Sequence, residues 1–131
     1  IELALETGLR RSEIANIKPE HVKGNLLKVV KAKIKPRTIP LTKRAQELLK
    51  LNLPITKSAN AILMSWKRLM KFYAIKDAHF HDLRHESLCR FFIEKNLSVP
   101  EVQVISGHLE PRTLLKVYAN IKAEDIVNKI N

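Results

Sequence analysis

Apolar residues recur three and four positions apart through most of the chain, which is the spacing of one face of a helix. The periodicity is broken once, after "KPEHVKGN". Before and after that break it predicts helical segments, in chain order "IELALET", "RRSEIANI", "TKRAQELLKLN", "SANAILMSWKRLMKFYAI", "HDLRHESLCRFFIEKN", "PEVQVISGH", "PRTLLKVYANI" and "AEDIVNKI". The pattern therefore predicts a predominantly helical domain.

Several residues indicate where these helices begin and end. Gly8 suits the left-handed residue that closes the first helix. Ser12 is predicted to cap the second helix, and Pro19 lies beyond its end. Pro100 and Pro111 each suit a first helical turn.

The break in the helical pattern has the composition of two strands. "LLKVVKA" and "RTIPL" are rich in β-branched residues, and they flank a short lysine-rich turn, "KIKP". This arrangement predicts a small antiparallel hairpin over about residues 26–41. The expected fold class is therefore α+β, predominantly helical, with one small antiparallel sheet.

The segment "HDLRH" places charged and titratable groups at the head of an apolar helix face. On a helix, His81, Arg84 and His85 fall within about 100° of one another. Phe91 and Phe92 continue the same side two to three turns later. The spacing predicts that these polar side chains face the interior, where an unpaired charge costs several kcal/mol. Such a placement needs a functional or structural reason.

The overall charge narrows the choice of partner. The 131 residues carry 24 Lys and Arg against 13 Asp and Glu, a formal charge of +11 and a pI of about 10.0. Such an excess favours binding to a polyanion, of which nucleic acid is the commonest. No signal segment or membrane-length apolar run is visible. The one cysteine, Cys89, excludes an internal disulfide and suits a reducing compartment, so we expect a cytoplasmic protein.

Taken singly, the candidate functional residues have ordinary explanations. Arg10 is a solvated base at a helix start, and His108, after Gly107, complements a helix dipole. Tyr118 shares a helix face with Leu114, which by spacing alone indicates a core residue. The hairpin lysines alternate like one solvated strand face.

Taken in order, the same residues carry a resemblance. Thr-Gly-Leu-Arg is followed by Ser-Glu-Ile, and a lysine-bearing hairpin leads to Ile-Pro-Leu. His-x-x-Arg-His comes next, and a tyrosine lies ten residues after a Gly-His pair. This series resembles the catalytic domain of the tyrosine recombinase (phage integrase) family, and the likeness covers nearly the whole chain. It implies the tyrosine recombinase catalytic-domain fold.

The resemblance also implies an activity, site-specific DNA recombination. In such enzymes a tyrosine attacks a phosphodiester, which leaves a 3′-phosphotyrosine and a free 5′-hydroxyl, and a second hydroxyl reverses the step. The bond energy stays in the covalent link, so the resemblance implies no cofactor, neither ATP nor a metal. By the motif match, Arg10 and Arg84 neutralise the phosphate, His81 and His108 bond it and assist proton transfer, and Tyr118 is the nucleophile.

A general acid is expected from the hairpin turn. We assign it to Lys33, with Lys31 and Lys35 as alternatives, because the turn is about one residue shorter than the commonest form. His85 and Glu13 are interpreted as residues that support the pocket without reacting.

Two other functions are compatible with parts of the sequence. His79, His81 and His85 have the spacing of a metal site, but no cysteine or carboxylate cluster lies beside them. The basic segment "RRSEIANIKPEHV" would also suit a non-catalytic DNA-binding module of helix-turn-helix type. That second alternative leaves the order of the arginines, histidines and tyrosine unexplained.

The resemblance implies partners and a domain organisation. We expect double-stranded DNA as the partner, no membrane association, a homo-tetramer on paired DNA sites and a monomer without DNA. Residues 1–131 are predicted to be the catalytic domain alone, a fragment without the N-terminal clamp domain of such enzymes. Residues 122–131 are expected to form a tail for protomer contacts.

Overall fold

The computed structural model describes residues 1–30 and 35–131 as a set of short helices around a small sheet. The α-helices of the described residues are α1 Glu2–Thr7, α2 Arg11–Ala15, α3 Lys43–Asn52, α4 Ala59–Phe72, α5 Asp82–Ile93, α6 Val99–Ser106, α7 Arg112–Tyr118 and α8 Ala123–Ile126. Short 3₁₀ turns follow α2, at Pro19–His21, and α8, at Val127–Lys129. All eight predicted helical segments are therefore present.

The sheet is antiparallel, with strands β1 Val22–Lys23, β2 Leu26–Val29 and β3 Arg37–Pro40 in that spatial order. The register pairs Leu27 with Ile39. Both of these side chains are fully buried, because residues paired across two strands lie on the same face of the sheet, and this face packs on the core. The predicted hairpin is confirmed as β2 and β3, whereas β1 was not predicted.

Two apolar clusters hold the domain together. The first joins the sheet to α1, α2 and α3 and includes Leu9, Ile39 and Leu49. The second joins α5, α6 and α7 around Phe92 and Leu114. Because α1 packs along α5, the two clusters meet where the loop after α1 and the start of α5 lie side by side.

Two local predictions need correction. The predicted cap at Ser12 is wrong, because α2 begins at Arg11 and Ser12 lies inside its first turn. Arg10 is the extended residue before the helix, and the Glu13 carboxylate accepts its backbone N–H at 2.9 Å. The prediction for the polar side chains of "HDLRH" holds only for Arg84, which faces the interior. His81, which precedes the first turn of α5, and His85 are both exposed.

In the described ranges, no helix has both the length and the apolar character needed to cross a bilayer.

Neighbouring leucines on β2 test the packing of the first cluster. Leu27→Ala should lower the free energy of unfolding by about 2–5 kcal/mol, because it leaves a cavity under the sheet. Leu26→Ala is the matched control, since Leu26 is 46% exposed on the opposite face; it should change stability by about 0.5 kcal/mol or less. Urea denaturation of both variants measures the difference, and equal losses would contradict the described register.

Candidate active site

Arg84 is a buried cation held by the ends of two helices. Its side chain lies in the first turn of α5 and is 3% exposed. Nη1 donates to the carbonyl of Gly8 and Nη2 to the carbonyl of Ser106, each at 2.6 Å. These carbonyls lie at the C-terminal ends of α1 and α6, where backbone oxygens lack helical partners and carry partial negative charge.

The charge on Arg84 survives its burial. Burial, followed by the neighbouring charge of Arg10, lowers the pKa of the Arg84 guanidinium to about 10. The group therefore stays protonated at neutral pH. This explains why the sequence places Arg84 toward the interior. The guanidinium is fixed between two helix ends and has further N–H groups that can bind a ligand.

Glu13 is the buried carboxylate of the site. It is 2% exposed and accepts two hydrogen bonds from Arg37, at 2.6 Å from Nη1 to Oε2 and 3.2 Å from Nη2 to Oε1. It also accepts the backbone N–H of Arg10, whose Nη1 lies 3.6 Å from Glu13 Oε2. Burial would raise the pKa of Glu13, but the hydrogen bonds from Arg37 and Arg10 outweigh it and hold the pKa below its usual value.

His108 follows α6 and is oriented by Ser106. Its Nδ1 lies 2.8 Å from Ser106 Oγ, and its backbone N–H donates to the same oxygen at 3.3 Å. Gly107, between them, has a φ of +75°, the left-handed conformation that turns the chain out of the helix. Because Ser106 also accepts from Arg84, the arginine and the histidine are fixed to the same residue.

Both site histidines favour the neutral form. Burial, then the charges of Arg84, Arg10 and Arg37, lowers the pKa of His108 to about 4. Partial desolvation and then the charge of Arg84 lower the pKa of His81 below its usual value. The two imidazoles are therefore placed among cations as neutral hydrogen-bonding groups.

A cleft of about 460 Å³ opens beside His108, between the start of β3 and the face of α6. Arg37, Lys35 and Gln103 are among its lining residues. Lys35 is exposed there. Lys33, the predicted general acid, and its alternative Lys31 lie outside the described residues.

Tyr118 ends α7 and is 50% exposed, so the core position indicated by its spacing is wrong. Leu114 and Val117 take the buried positions of α7. The ring of Tyr118 packs edge-on against Phe92, with centroids 5.1 Å apart. Phe92 lies two turns beyond Arg84 on α5, about 12 Å along the helix axis.

The structure thus brings Arg10, Arg84, His81 and His108 together, whereas the described contacts of Tyr118 are with the second cluster. In the part of the chain that is described, no group of three or more His, Cys, Asp or Glu side chains is arranged to hold a metal ion. His85 lines a separate cavity with Cys89 and Asp125.

Sequence analysis missed two residues of this site, Arg37 and Ser106. A signal for Arg37 was present, because it lies two positions before the buried Ile39 on β3 and therefore points to the same face. Ser106 gave no comparable signal, since its role depends on where the end of α6 meets α5.

The buried carboxylate should be costly to neutralise. Glu13→Gln should lower the free energy of unfolding by about 3–5 kcal/mol, because the Arg37 guanidinium then stays buried without its counter-charge. Glu2→Gln is the control, since Glu2 makes a similar two-bond contact with Arg44 in an exposed position. It should cost far less in the same thermal or urea unfolding experiment, and equal losses would argue against burial of the Glu13 charge.

The environment of His108 should be visible in its titration. NMR of the imidazole nitrogens should give a pKa of about 4, because burial and the neighbouring guanidinium groups oppose protonation. Since the unfolded chain binds a proton near pH 6.5 and the folded chain does not, this residue should lower stability as the pH falls from about 6.5 to 4. A pKa near 6.5 would contradict the described surroundings.

Known proteins share the sequence and fold of this chain. The phage integrase family matches residues 1–125. The shufflon-specific DNA recombinase of Escherichia coli is 33% identical over 139 residues, which cover 98% of this chain and 36% of that protein. The chain therefore spans about a third of the length of this curated relative.

Solved structures agree with this fold. The Tn1549 transposon integrase in complex with circular intermediate DNA matches with a TM-score of 0.75 at 17% identity, over 98% of this chain and 55% of that chain. XerA recombinase matches with a TM-score of 0.72 at 19% identity, over 97% and 52%. The predicted fold and family are confirmed, and the chain belongs to the phage integrase family.

Proposed function

We propose that this chain is the catalytic part of a site-specific DNA recombinase that cuts and rejoins strands through a 3′-phosphotyrosine. The observation that carries the proposal is the convergence of Arg10 and Arg37 on the Glu13 carboxylate, with Arg84, His81 and His108 beside them. These residues come from distant parts of the sequence, so their meeting is a property of the fold.

The charge balance of the site supports an anionic substrate. Arg10 and Arg37 contact Glu13, and Arg84 lies near them, so within the described residues one carboxylate faces three guanidinium groups and two positive charges lack a counter-charge. A buried excess of this kind is unfavourable until an anion enters. Phosphate suits the site because planar guanidinium groups donate paired hydrogen bonds to its oxygens.

The reaction balances with protein groups alone. Tyr118 Oη attacks phosphorus, a P–O bond to tyrosine forms, and the bond from phosphorus to the 5′-oxygen breaks. The phenolic proton passes to a base and the 5′-oxygen gains a proton from an acid. Arg10 and Arg84 are assigned to the charge that develops on the phosphate oxygens, where such donors act most strongly.

Proton transfer is assigned to groups around the phosphate. His108 and His81 are neutral near pH 7, so each can accept or donate one hydrogen bond without adding charge. Lys33 keeps its sequence assignment as the acid for the 5′-oxygen. Of its alternatives, Lys35 lines the cleft that also includes His108.

Tyr118 is accessible for attack. Its ring rests on Phe92 with half of its surface open, and we propose that DNA binding brings its oxygen to the phosphorus beside Arg84. The aromatic contact contributes about 0.5–1.5 kcal/mol, and DNA binding can supply the free energy needed to break it.

Double-stranded DNA is the proposed substrate, and a tetramer on paired sites is the proposed assembly. The formal charge of +11 supports DNA binding through phosphate contacts. Residues 122–131 expose Ile126, Val127 and Ile130, which supports a role for this segment in contacts between protomers. Lys129 of the same segment donates to the carbonyl of Phe92 at 3.1 Å, so the segment lies against the end of α5.

A covalent adduct is the direct test of this function. Incubation with nicked duplexes that contain a randomised core should yield protein–DNA adducts that resist denaturant, because release of a short 5′-hydroxyl strand prevents religation. The assay is run in EDTA, since the reaction as written uses no metal. Tyr118→Phe should abolish the adduct and leave DNA binding unchanged.

The chain offers a matched control for the nucleophile. Tyr73 is its second tyrosine and is 63% exposed at the end of α4. Tyr73→Phe should form the adduct at the wild-type rate. An adduct that persists in Tyr118→Phe would reassign the nucleophile, and DNA binding without any adduct would favour a non-catalytic module.

A further inference from the structure

Arg37 contacts Glu13 of α2 and the end of α6, the two elements that position Arg10 and His108, although no motif points to it. Resting on the proposed function, we propose that Arg37 is a positioning residue that fixes Arg10 and His108 relative to each other across the phosphate site. Its own side chain is 8% exposed, so its contacts are internal.

The first contact acts on Arg10. Both terminal nitrogens of Arg37 bind the Glu13 carboxylate, and that carboxylate holds the backbone N–H of Arg10 at the start of α2. The Arg10 guanidinium lies 3.6 Å from the same carboxylate, so its position also depends on where Glu13 points. Arg37 thereby fixes the orientation of Glu13 and, through it, of Arg10.

The second contact acts on the end of α6. Arg37 Nε donates to the carbonyl of Ile105 at 2.9 Å. The next residue, Ser106, accepts from Arg84 and contacts His108. A hydrogen bond at Ile105 therefore fixes the turn from which both of these site residues are held.

The third contact is steric and involves Gly107. A Cβ placed on Gly107 would lie 2.9 Å from Arg37 Cδ and Nε and 3.0 Å from Cζ. The guanidinium thus rests against the bare backbone immediately before His108. Gly107 serves two purposes here, a positive φ and room for Arg37.

The position of Arg37 in the chain adds a fourth connection. It is the first residue of β3 and pairs with Val29 of β2. The same side chain that ties α2 to α6 therefore also ties both of them to the sheet.

A lysine cannot replace these contacts. The guanidinium binds Glu13 with its two terminal nitrogens and Ile105 with Nε, along different directions of one rigid plane. An ammonium group has the same charge, but its three donors radiate from one nitrogen, so it cannot span both Glu13 oxygens and the Ile105 carbonyl in the same way. Arg37→Lys thus separates the positioning effect from the charge.

The experiment compares Arg37→Lys with wild type. Its substrates are the nicked duplexes from the randomised set that form a covalent adduct with the wild-type protein. The single-turnover cleavage rate should fall by about 100-fold, because misplacement of a site group by about 1 Å has this effect. DNA affinity should change by less than about threefold, since Arg37 has only internal contacts and its positive charge is kept. The imidazole NMR signals of His108 should move as well.

Arg44→Lys is the matched control for this substitution. Arg44 makes the same kind of two-bond contact, to Glu2, but on the exposed side of α3. It should leave the cleavage rate and the His108 signals as in wild type. A loss of rate in both variants would indicate a general effect of replacing arginine.

A second pair of variants tests the contact at Gly107. Gly107→Ala should displace Arg37 and reduce the cleavage rate with little change in DNA affinity. Gly24→Ala is its control, because Gly24 has a φ of +60° and open space around it, so it carries the backbone strain without the collision. Equal rates in the two variants would argue against a role for the contact.

The outcomes separate this inference from the proposed function. The inference would be overturned, and the proposed function left intact, if wild type and Arg37→Lys formed adducts at similar rates and the His108 signals were the same in both. No adduct from wild type on any duplex would overturn the function. In that case a crystal structure of Arg37→Lys tests the positioning role by itself. Displaced Arg10 and His108 side chains would support the inference, and unchanged positions would overturn it too.

Discussion

A buried cation without a carboxylate of its own organises this domain. Arg84 is held by the carbonyls of Gly8 and Ser106, which end α1 and α6. Helix ends offer unsatisfied oxygens with partial negative charge, and two of them directed at one guanidinium replace part of its lost hydration. The interaction joins the start of α5 to both helices, so the packing of α1 along α5 and the position of His108 depend on it.

The remaining charges around Arg84 favour an anionic ligand, which supports the proposed phosphodiester substrate. Glu13 compensates one of three guanidinium groups and keeps Arg10 and Arg37 in fixed positions. A second carboxylate would stabilise the free protein but would compete with the substrate for the same donors. Burial, together with the uncompensated charge, keeps both histidines neutral, and that charge leaves the site ready for an anion.

Much of this arrangement could be predicted from residue patterns. Helical periodicity and β-branched composition predicted the helices and the hairpin, and Gly8 adopts the expected left-handed conformation. The resemblance to a family then pointed to Arg10, Arg84 and the histidines. The features that neither the patterns nor the resemblance predicted depend on tertiary contacts. They are the pairing of Arg37 with Glu13, the role of Ser106, and the short strand β1, which pairs with β2. Ser12 was wrong as a cap because the carboxylate of Glu13 fixes the start of α2.

A crystal structure of the covalent adduct would test the central claim most directly. The account predicts a phosphorus bonded to Tyr118 Oη, with nitrogens of Arg10, Arg84 and His108 about 2.7–3.2 Å from its other oxygens. It also predicts that Arg84 keeps its bonds to the carbonyls of Gly8 and Ser106 while it binds the phosphate. A phosphotyrosine that lies against Phe92 with both guanidinium groups remote from it would contradict the account.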